Sequence, residues 1–188
     1  MKKLLVLLFA TLVPGTIAVA ATDGAIPGPA VGAEFPHSLN APDQRGQDQS
    51  LDTLMGENGL VLVFVRSADW CRFCKAQLVD LNQRLPEFQA LGLNVVAISV
   101  DEVAQIAKFS ETQQIRFTLL ADASGDINLQ LGIRDTKYPV GDMAFGVPSP
   151  ILYVVDQTGT ISARYMEPTY RTRPDLDVVL RNATALQD

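Results

Sequence analysis

Cysteine and histidine are scarce: the 188-residue chain holds two cysteines, Cys71 and Cys74, and one histidine, His37. A closed zinc site takes four ligands and a disulfide-dense scaffold takes several cysteine pairs, so neither fits, and no resident metal or cofactor is expected. Positive charge is scarce as well. Fifteen Lys and Arg face 21 Asp and Glu, for a formal charge of −6 and a pI near 4.7, which excludes a broad cationic footprint for nucleic acid or anionic lipid. Charged residues make up only 19% of the chain against 47% hydrophobic, too apolar a mixture for disorder. A bilayer span is lacking too, since the apolar run Leu4 to Val13 falls short of the roughly twenty residues that a spanning helix requires.

That short run is part of an address. Lys2 and Lys3 precede it, Pro14 and Gly15 interrupt it, and Ala18-Val19-Ala20 supplies a small-residue ending. A charged start, an apolar centre and an A-x-A ending describe a secretory signal peptide over residues 1–20, cleaved after Ala20. The residue directly after the cut is Ala21 and not a cysteine, so a lipid-anchored form is not expected, nor is stable membrane insertion once the segment is gone. Losing Lys2 and Lys3 takes the charge from −6 to −8. The start is of bacterial type, and the expected location is the periplasm, an oxidising compartment.

Residues 21–32 hold Gly24, Pro27, Gly28, Pro29 and Gly32 with few large apolar side chains, and read as an extended linker. A single domain is expected over residues 33–188. Asn40 to Gln47 has turn chemistry, and Leu51 to Met55 is long enough for one helical turn. Leu60 to Val65 is a continuous apolar run rich in β-branched residues, which predicts a strand buried on both faces. From Cys74, apolar residues at 78, 81, 85 and 88 predict a helix with one inward face, kinked or broken at Pro86 and ended by Gly92. Asn94 to Val100 predicts a second strand, Glu102 to Gln114 a second helix, Phe117 to Leu120 a third strand and Ile127 to Leu131 a brief helix. Residues 132–149 show little periodicity. Ile151 to Val155 and Thr160 to Tyr165 predict an antiparallel hairpin turning at Asp156 to Gly159, and Arg173 to Leu186 a closing helix. The fold class is α/β, a mixed sheet of about five strands with helices on both faces.

Two cysteines placed at random in a chain this long fall three apart in roughly one arrangement in a hundred, so the Cys71-Arg72-Phe73-Cys74 spacing carries information. The pair sits where a buried strand feeds a helix. Unpaired N–H groups and the positive end of the helix dipole favour a thiolate there, and Arg72 and Lys75 add positive charge. Cys71 is the expected nucleophile and Cys74, one turn further in, the residue that resolves a mixed disulfide. Two other readings stay open: a two-coordinate site for a soft metal such as Cu(I), and a non-catalytic binding module. Trp70 is either a lid on the reactive sulfur or a core residue. Asp69 is a candidate proton acceptor or an exposed turn carboxylate, and His37 a surface residue.

The segment Trp70-Cys71-Arg72-Phe73-Cys74-Lys75 resembles the W-C-x-x-C-K active-site segment of thioredoxin-like proteins. Residues Phe35 to Tyr165 more closely resemble the peroxiredoxin-related branch, the alkyl hydroperoxide reductase/thiol-specific antioxidant family. The resemblance is carried by Ala41-Pro42-Asp43 with Gly46 and Leu51, by Asn94 to Asp101, by Leu119 to Asp122, and by Pro150 to Gly159. It implies a thioredoxin-like fold, with Pro150 (less so Pro148) in cis and packed against the CxxC. It also implies thiol redox activity with a separate thiol reductant or oxidant. The sequence departs from the family in three places. Ala68 and Cys71 stand where peroxiredoxins carry Thr or Ser three residues before the peroxidatic cysteine. Residues 146–149 lack the family's arginine, and Val65 replaces the buried aspartate of thioredoxin. The expectation is an exported thiol–disulfide oxidoreductase acting on protein or small-molecule thiols and disulfides, with Pro150 and residues 132–149 shaping the groove; a peroxiredoxin-like peroxidase is the alternative.

Overall fold

The computed structural model describes residues 26–185, so the expected signal peptide and the first part of the expected linker lie outside the described residues. In chain order the elements are β1 (Asn40–Pro42), β2 (Asp48–Ser50), α1 (Leu51–Leu54), β3 (Gly59–Phe64), α2 (Arg72–Ala90), β4 (Leu93–Ser99), α3 (Val103–Gln113), β5 (Thr118–Ala121), α4 (Asp126–Gln130), β6 (Ile151–Asp156), β7 (Ile161–Tyr165) and α5 (Leu176–Ala185). Five strands form one mixed sheet in the order β5-β4-β3-β6-β7. β3 runs parallel to β4 and antiparallel to β6, and β7 returns antiparallel along β6.

The apolar run of β3 is explained by its central place. Side chains alternate across a strand, so Val61, Val63 and Val65 enter one core, with Leu78, Leu81, Phe88 and Phe109 from α2 and α3 and Val179 from α5. Leu60, Leu62 and Phe64 enter the other, with Phe35, Leu51, Leu54 and Tyr153. Each of these six strand residues is fully buried, a gain of roughly 1.5–3 kcal/mol apiece over leaving them in water. The mixed sheet with helices on both faces, expected from the strand and helix pattern, is what the structure shows.

Two expectations are corrected. Helix α2 runs unbroken through Pro86. A proline has no N–H for the carbonyl four residues back, which here is Asn82, and the Arg116 guanidinium donates to that freed oxygen at 2.7 Å. The Asn82 side chain holds the same partner segment, accepting from the Arg116 N–H at 2.9 Å and donating to the Gln114 carbonyl at 3.1 Å. The second correction concerns Pro150, and with it Pro148. Among the described residues there is no cis peptide bond. The chain enters β6 extended because residues 133–135 pair with 147–149: Ser149 donates to the Ile133 carbonyl and Asp135 to that of Val147, both at 2.8 Å.

Helix α2 stops at Ala90 with Leu91 as its cap, and Gly92 marks the end as expected, with φ +68° and a Cβ position 2.7 Å from the Asn58 amide. The hairpin β1–β2, of which only Asn40 to Gln47 reads in the sequence, as a turn, is tied to β5 by the Gln44 side chain, which donates to the Phe117 carbonyl and accepts from the Leu119 N–H. Residues 26–32 lie against the β6–β7 hairpin: the Arg164 guanidinium donates to the Gly28 and Pro29 carbonyls, and Gly32 donates to Ile161 at 2.8 Å.

Candidate active site

At the end of β3, Val65 keeps the sheet pairing for one more residue by donating to the Ile98 carbonyl. The loop from Arg66 to Trp70 then turns the chain into α2. A buried carboxylate at the end of β4 organises this loop. Asp101, 2% exposed, accepts from Ser67 Oγ at 2.7 Å, from the Ala68 N–H at 2.5 Å and from Ser99 Oγ at 2.8 Å. Having donated its proton to Asp101, Ser67 Oγ accepts from the N–H groups of Asp69 and Trp70 at 2.9 and 3.0 Å. Three consecutive backbone N–H groups are thereby satisfied, which fixes where Cys71 starts the helix.

Cys71 is the N-cap of α2, its sulfur accepting from the Cys74 N–H at 3.3 Å, and the two sulfurs are bonded to each other with the Cα atoms 5.3 Å apart. Cys71 is 5% exposed and Cys74 is fully buried. The sulfur nearer to solvent is thus Cys71, and the N-terminal turn of a 19-residue helix lies beneath both.

The expected tuning residues do not touch sulfur. Arg72 lies over the Phe73 ring, 4.5 Å from its centroid, and Lys75 Nζ donates to the Asp69 carbonyl at 2.7 Å. The Asp69 carboxylate, exposed, accepts from the Gln105 amide, and His37 pairs with Glu34 at the surface. Trp70 is half-buried against the core at the head of the helix. Pro150, trans, stands just ahead of Ile151, which is paired with Phe64, and so lies at the end of the sheet where β3 delivers the cysteines.

Two arginines absent from the expectations stand near the head of the helix, one of them on a sulfur. Arg66 is 6% exposed, its guanidinium 5.4, 4.9 and 4.6 Å from the ring centroids of Trp70, Tyr138 and Tyr170. Tyr138 comes from the aperiodic segment expected to rim the site. Arg173, from the segment leading into α5, donates through Nη2 to Cys74 Sγ at 3.3 Å and through Nη1 to the carbonyls of Tyr170 and Thr172. Burial, and secondarily the charge of Arg66, pushes the Arg173 guanidinium below its ordinary pKa. Tyr170 closes over the same place by an edge contact with Phe73, its phenol pulled below the usual range by the Arg171 hydrogen bond. Arg66 had one readable signal, a cation directly after a buried strand. Arg173 had none, since it lies 99 residues from its sulfur.

Two grooves flank the helix that carries the pair. The larger, of about 610 Å³, runs between α2 and α3 past Ala68, Asp69, Lys75, Val79 and Phe109. The smaller, of about 330 Å³, lies on the α5 side between Phe73, Gln77, Arg171, Arg173 and Leu176. Among the described residues no three or more His, Cys, Asp or Glu side chains converge as a metal site would require, and no helix is long and apolar enough to cross a membrane.

A bonded CxxC at a strand-to-helix turn of a five-stranded mixed sheet is the setting of thiol redox chemistry, and comparison with known proteins agrees. The sequence model of the AhpC/TSA family matches residues 31–164. The chain belongs to the AhpC/TSA family. Within it, the chain is 28% identical over 142 residues to Peroxiredoxin Bcp of Escherichia coli (strain K12), covering 76% of this chain and 88% of that protein. It is 32% identical over 124 residues to a putative peroxiredoxin of Mycobacterium tuberculosis, 66% of this chain and 77% of that one. The fold is shared with the crystal structure of Peroxidoxin BcpB from Mycobacterium tuberculosis, with a TM-score of 0.69 and 23% identity over 87% of this chain and 99% of that one. It is also shared with a cysteine-to-serine mutant of Peroxiredoxin 6 of Arenicola marina, with a TM-score of 0.75 and 19% identity over 85% and 74% of the two chains. An AhpC/TSA member with these relatives is a thiol-based oxidoreductase. The family match ends at residue 164, so Arg173 lies beyond it.

Proposed function

We propose that the protein catalyses thiol–disulfide exchange through Cys71 and Cys74, outside the cytoplasm. The observation that carries this reading is the bonded pair at the N-cap of α2, with Cys71 5% exposed and Cys74 fully buried. A four-residue loop closed by a disulfide removes little unfolded-state entropy, so stabilising the fold is a poor account of the bond. In the oxidising direction a substrate thiolate attacks Cys71 Sγ, the Cys71–Cys74 bond breaks and Cys74 leaves with the electron pair. The substrate's second thiolate then attacks its own sulfur in the mixed disulfide and expels Cys71. In the reducing direction the Cys71 thiolate attacks a substrate disulfide and Cys74 releases the product. A separate thiol reductant or oxidant resets the pair.

Peroxide reduction is the second reading, supported by relatives named peroxiredoxins. One thiolate would attack the peroxide O–O bond and become a sulfenic acid as the alcohol departs; the other would condense with it, releasing water and forming the same disulfide. Cys71→Ser is expected to abolish insulin-disulfide reduction, and retention of full activity would refute the exchange reading. Disulfide formation within seconds of adding one equivalent of peroxide to reduced protein, with a trappable sulfenic acid once one cysteine is serine, would favour the peroxidase. The extracytoplasmic location rests on the Lys2-Lys3 start and the Ala18-Val19-Ala20 ending. Protein recovered from the periplasm should begin at Ala21; intact Met1 in the cytosol would overturn it.

A further inference from the structure

We propose that Arg173, backed by Arg66, is the counter-cation of the Cys74 thiolate, a positioning residue that biases the pair toward its reduced form and makes the protein an acceptor of electrons from substrate dithiols. The inference rests on the exchange reading and deepens it by giving the reaction a direction.

Arg173 Nη2 is 3.3 Å from a fully buried sulfur, and Arg66, whose charge acts on Arg173, is nine-tenths buried among three aromatic rings. Among the described residues, neither guanidinium has a carboxylate within 4 Å, and the Nε of each is buried without a hydrogen-bond partner. Other charges on the surrounding elements are occupied or set apart. Lys75 is on the Asp69 carbonyl and Arg72 on the Phe73 ring. Asp69 holds Gln105, Asp101 holds Ser67, Ala68 and Ser99, and Asp80 lines the groove beside Arg173 without pairing to it. Tyr170 faces Arg66 with its ring. The oxidised protein therefore keeps a poorly solvated cation, Arg173, against a neutral disulfide whose sulfurs are weak acceptors, with the buried charge of Arg66 close enough to act on Arg173. Reduction creates the anion that Arg173 lacks, and its hydrogen bond becomes charge-assisted on both sides.

In the step this favours, a substrate thiolate attacks Cys71 Sγ and Cys74 departs as a thiolate facing Arg173. The substrate's second thiolate then closes the substrate disulfide and expels Cys71. Two electrons pass from substrate to protein. Of the two protons lost by the dithiol, Cys71 retains one and solvent takes the other, because Cys74 stays ionised. A better-stabilised leaving group departs faster, so the cation acts on rate and equilibrium in the same sense.

The test is the equilibrium constant of the pair in glutathione buffers for the wild type, Arg173→Met and Arg173→Lys, together with thiolate absorbance near 240 nm against pH in a Cys71→Ser background. Arg173→Met is expected to shift the equilibrium toward the disulfide by about tenfold, near 30 mV, and to move the Cys74 thiolate titration to higher pH, with Arg173→Lys in between. An unchanged equilibrium constant and an unchanged titration in Arg173→Met overturn the assignment. Should that variant not fold, the Cys71→Ser protein decides alone: a Cys74 thiol titrating at or above the ordinary value near 8.5 overturns it too. A wild type that exchanges with neither insulin disulfides nor a dithiol substrate, with the shift intact, would remove the exchange reading but not the counter-cation, whereas exchange without the shift would remove only the counter-cation.

Discussion

At the scale of single residues, the loop before Cys71 depends on Asp101. Its carboxylate takes three hydrogen bonds in the interior, so Asp101→Ala leaves the Ser67 hydroxyl, the Ala68 N–H and the Ser99 hydroxyl without that acceptor. Urea denaturation should show a loss of about 3 kcal/mol. A second buried carboxylate behaves differently. Asp122 accepts from the N–H groups of Ile127 and Asn128 at the start of α4, but burial outweighs those bonds and raises its pKa from 3.8 to about 6. The folded state therefore holds this proton more tightly than the unfolded chain does. The stability it contributes is full below pH 4 and is lost as the pH rises through 6, at most about 3 kcal/mol. Asp122→Asn should remove that decline, so urea midpoints for wild type and variant measured from pH 4 to 7 will diverge most between pH 4 and 6. Neither carboxylate's role was legible as a pattern: each stands at the end of an apolar strand run, and only the packed loop shows which N–H groups it meets.

At the scale of elements, Pro86 and Arg116 form a unit. The proline withholds a donor from the Asn82 carbonyl and the arginine supplies one, so their contributions should not add. Arg116→Met is expected to destabilise the wild type by about 1 kcal/mol and the Pro86→Ala protein by less, because alanine restores the helical N–H. Equal losses in the two backgrounds would show that Arg116 does not compensate for the proline. Where a segment's own sequence decides its state, it was readable in advance. The unbroken apolar run of Leu60 to Val65 and the four-and-three spacing of Leu78, Leu81, Leu85 and Phe88 are such cases, because the first is the direct record of a strand covered on both faces and the second of a helix covered on one. The β1–β2 strands are three residues each, too short to leave a period, and depend on Gln44 reaching β5. The unbroken helix and the trans Pro150 likewise follow from partners elsewhere in the chain, Arg116 in one case and residues 133–135 in the other.

At the scale of the whole molecule, protection should fall outward from the sheet centre. β3 is hydrogen-bonded on both sides and covered on both faces, whereas residues 137–145 make few bonds and leave Val140 and Met143 at 84% and 77% exposure. Hydrogen exchange is expected to leave the amides of Leu60 to Phe64 until last and to take those of Lys137 to Phe145 first; the reverse order would mean that the cores do not close on β3. The cysteine turn was legible because strand, helix start and both sulfurs lie within about fifteen residues, and the arginine that touches the buried sulfur was not, because only the finished tertiary structure brings it there. That separation matters for a chain made from its N-terminus at roughly 5–20 residues per second. Both cysteines, α2 and all five strands of the sheet are synthesised before Arg173, and α5, held to α2 through Arg84 and Asp177, follows it. A growing chain therefore carries its two thiols for several seconds without the arginine, and gains that cation beside the buried sulfur only when the segment leading into α5 docks.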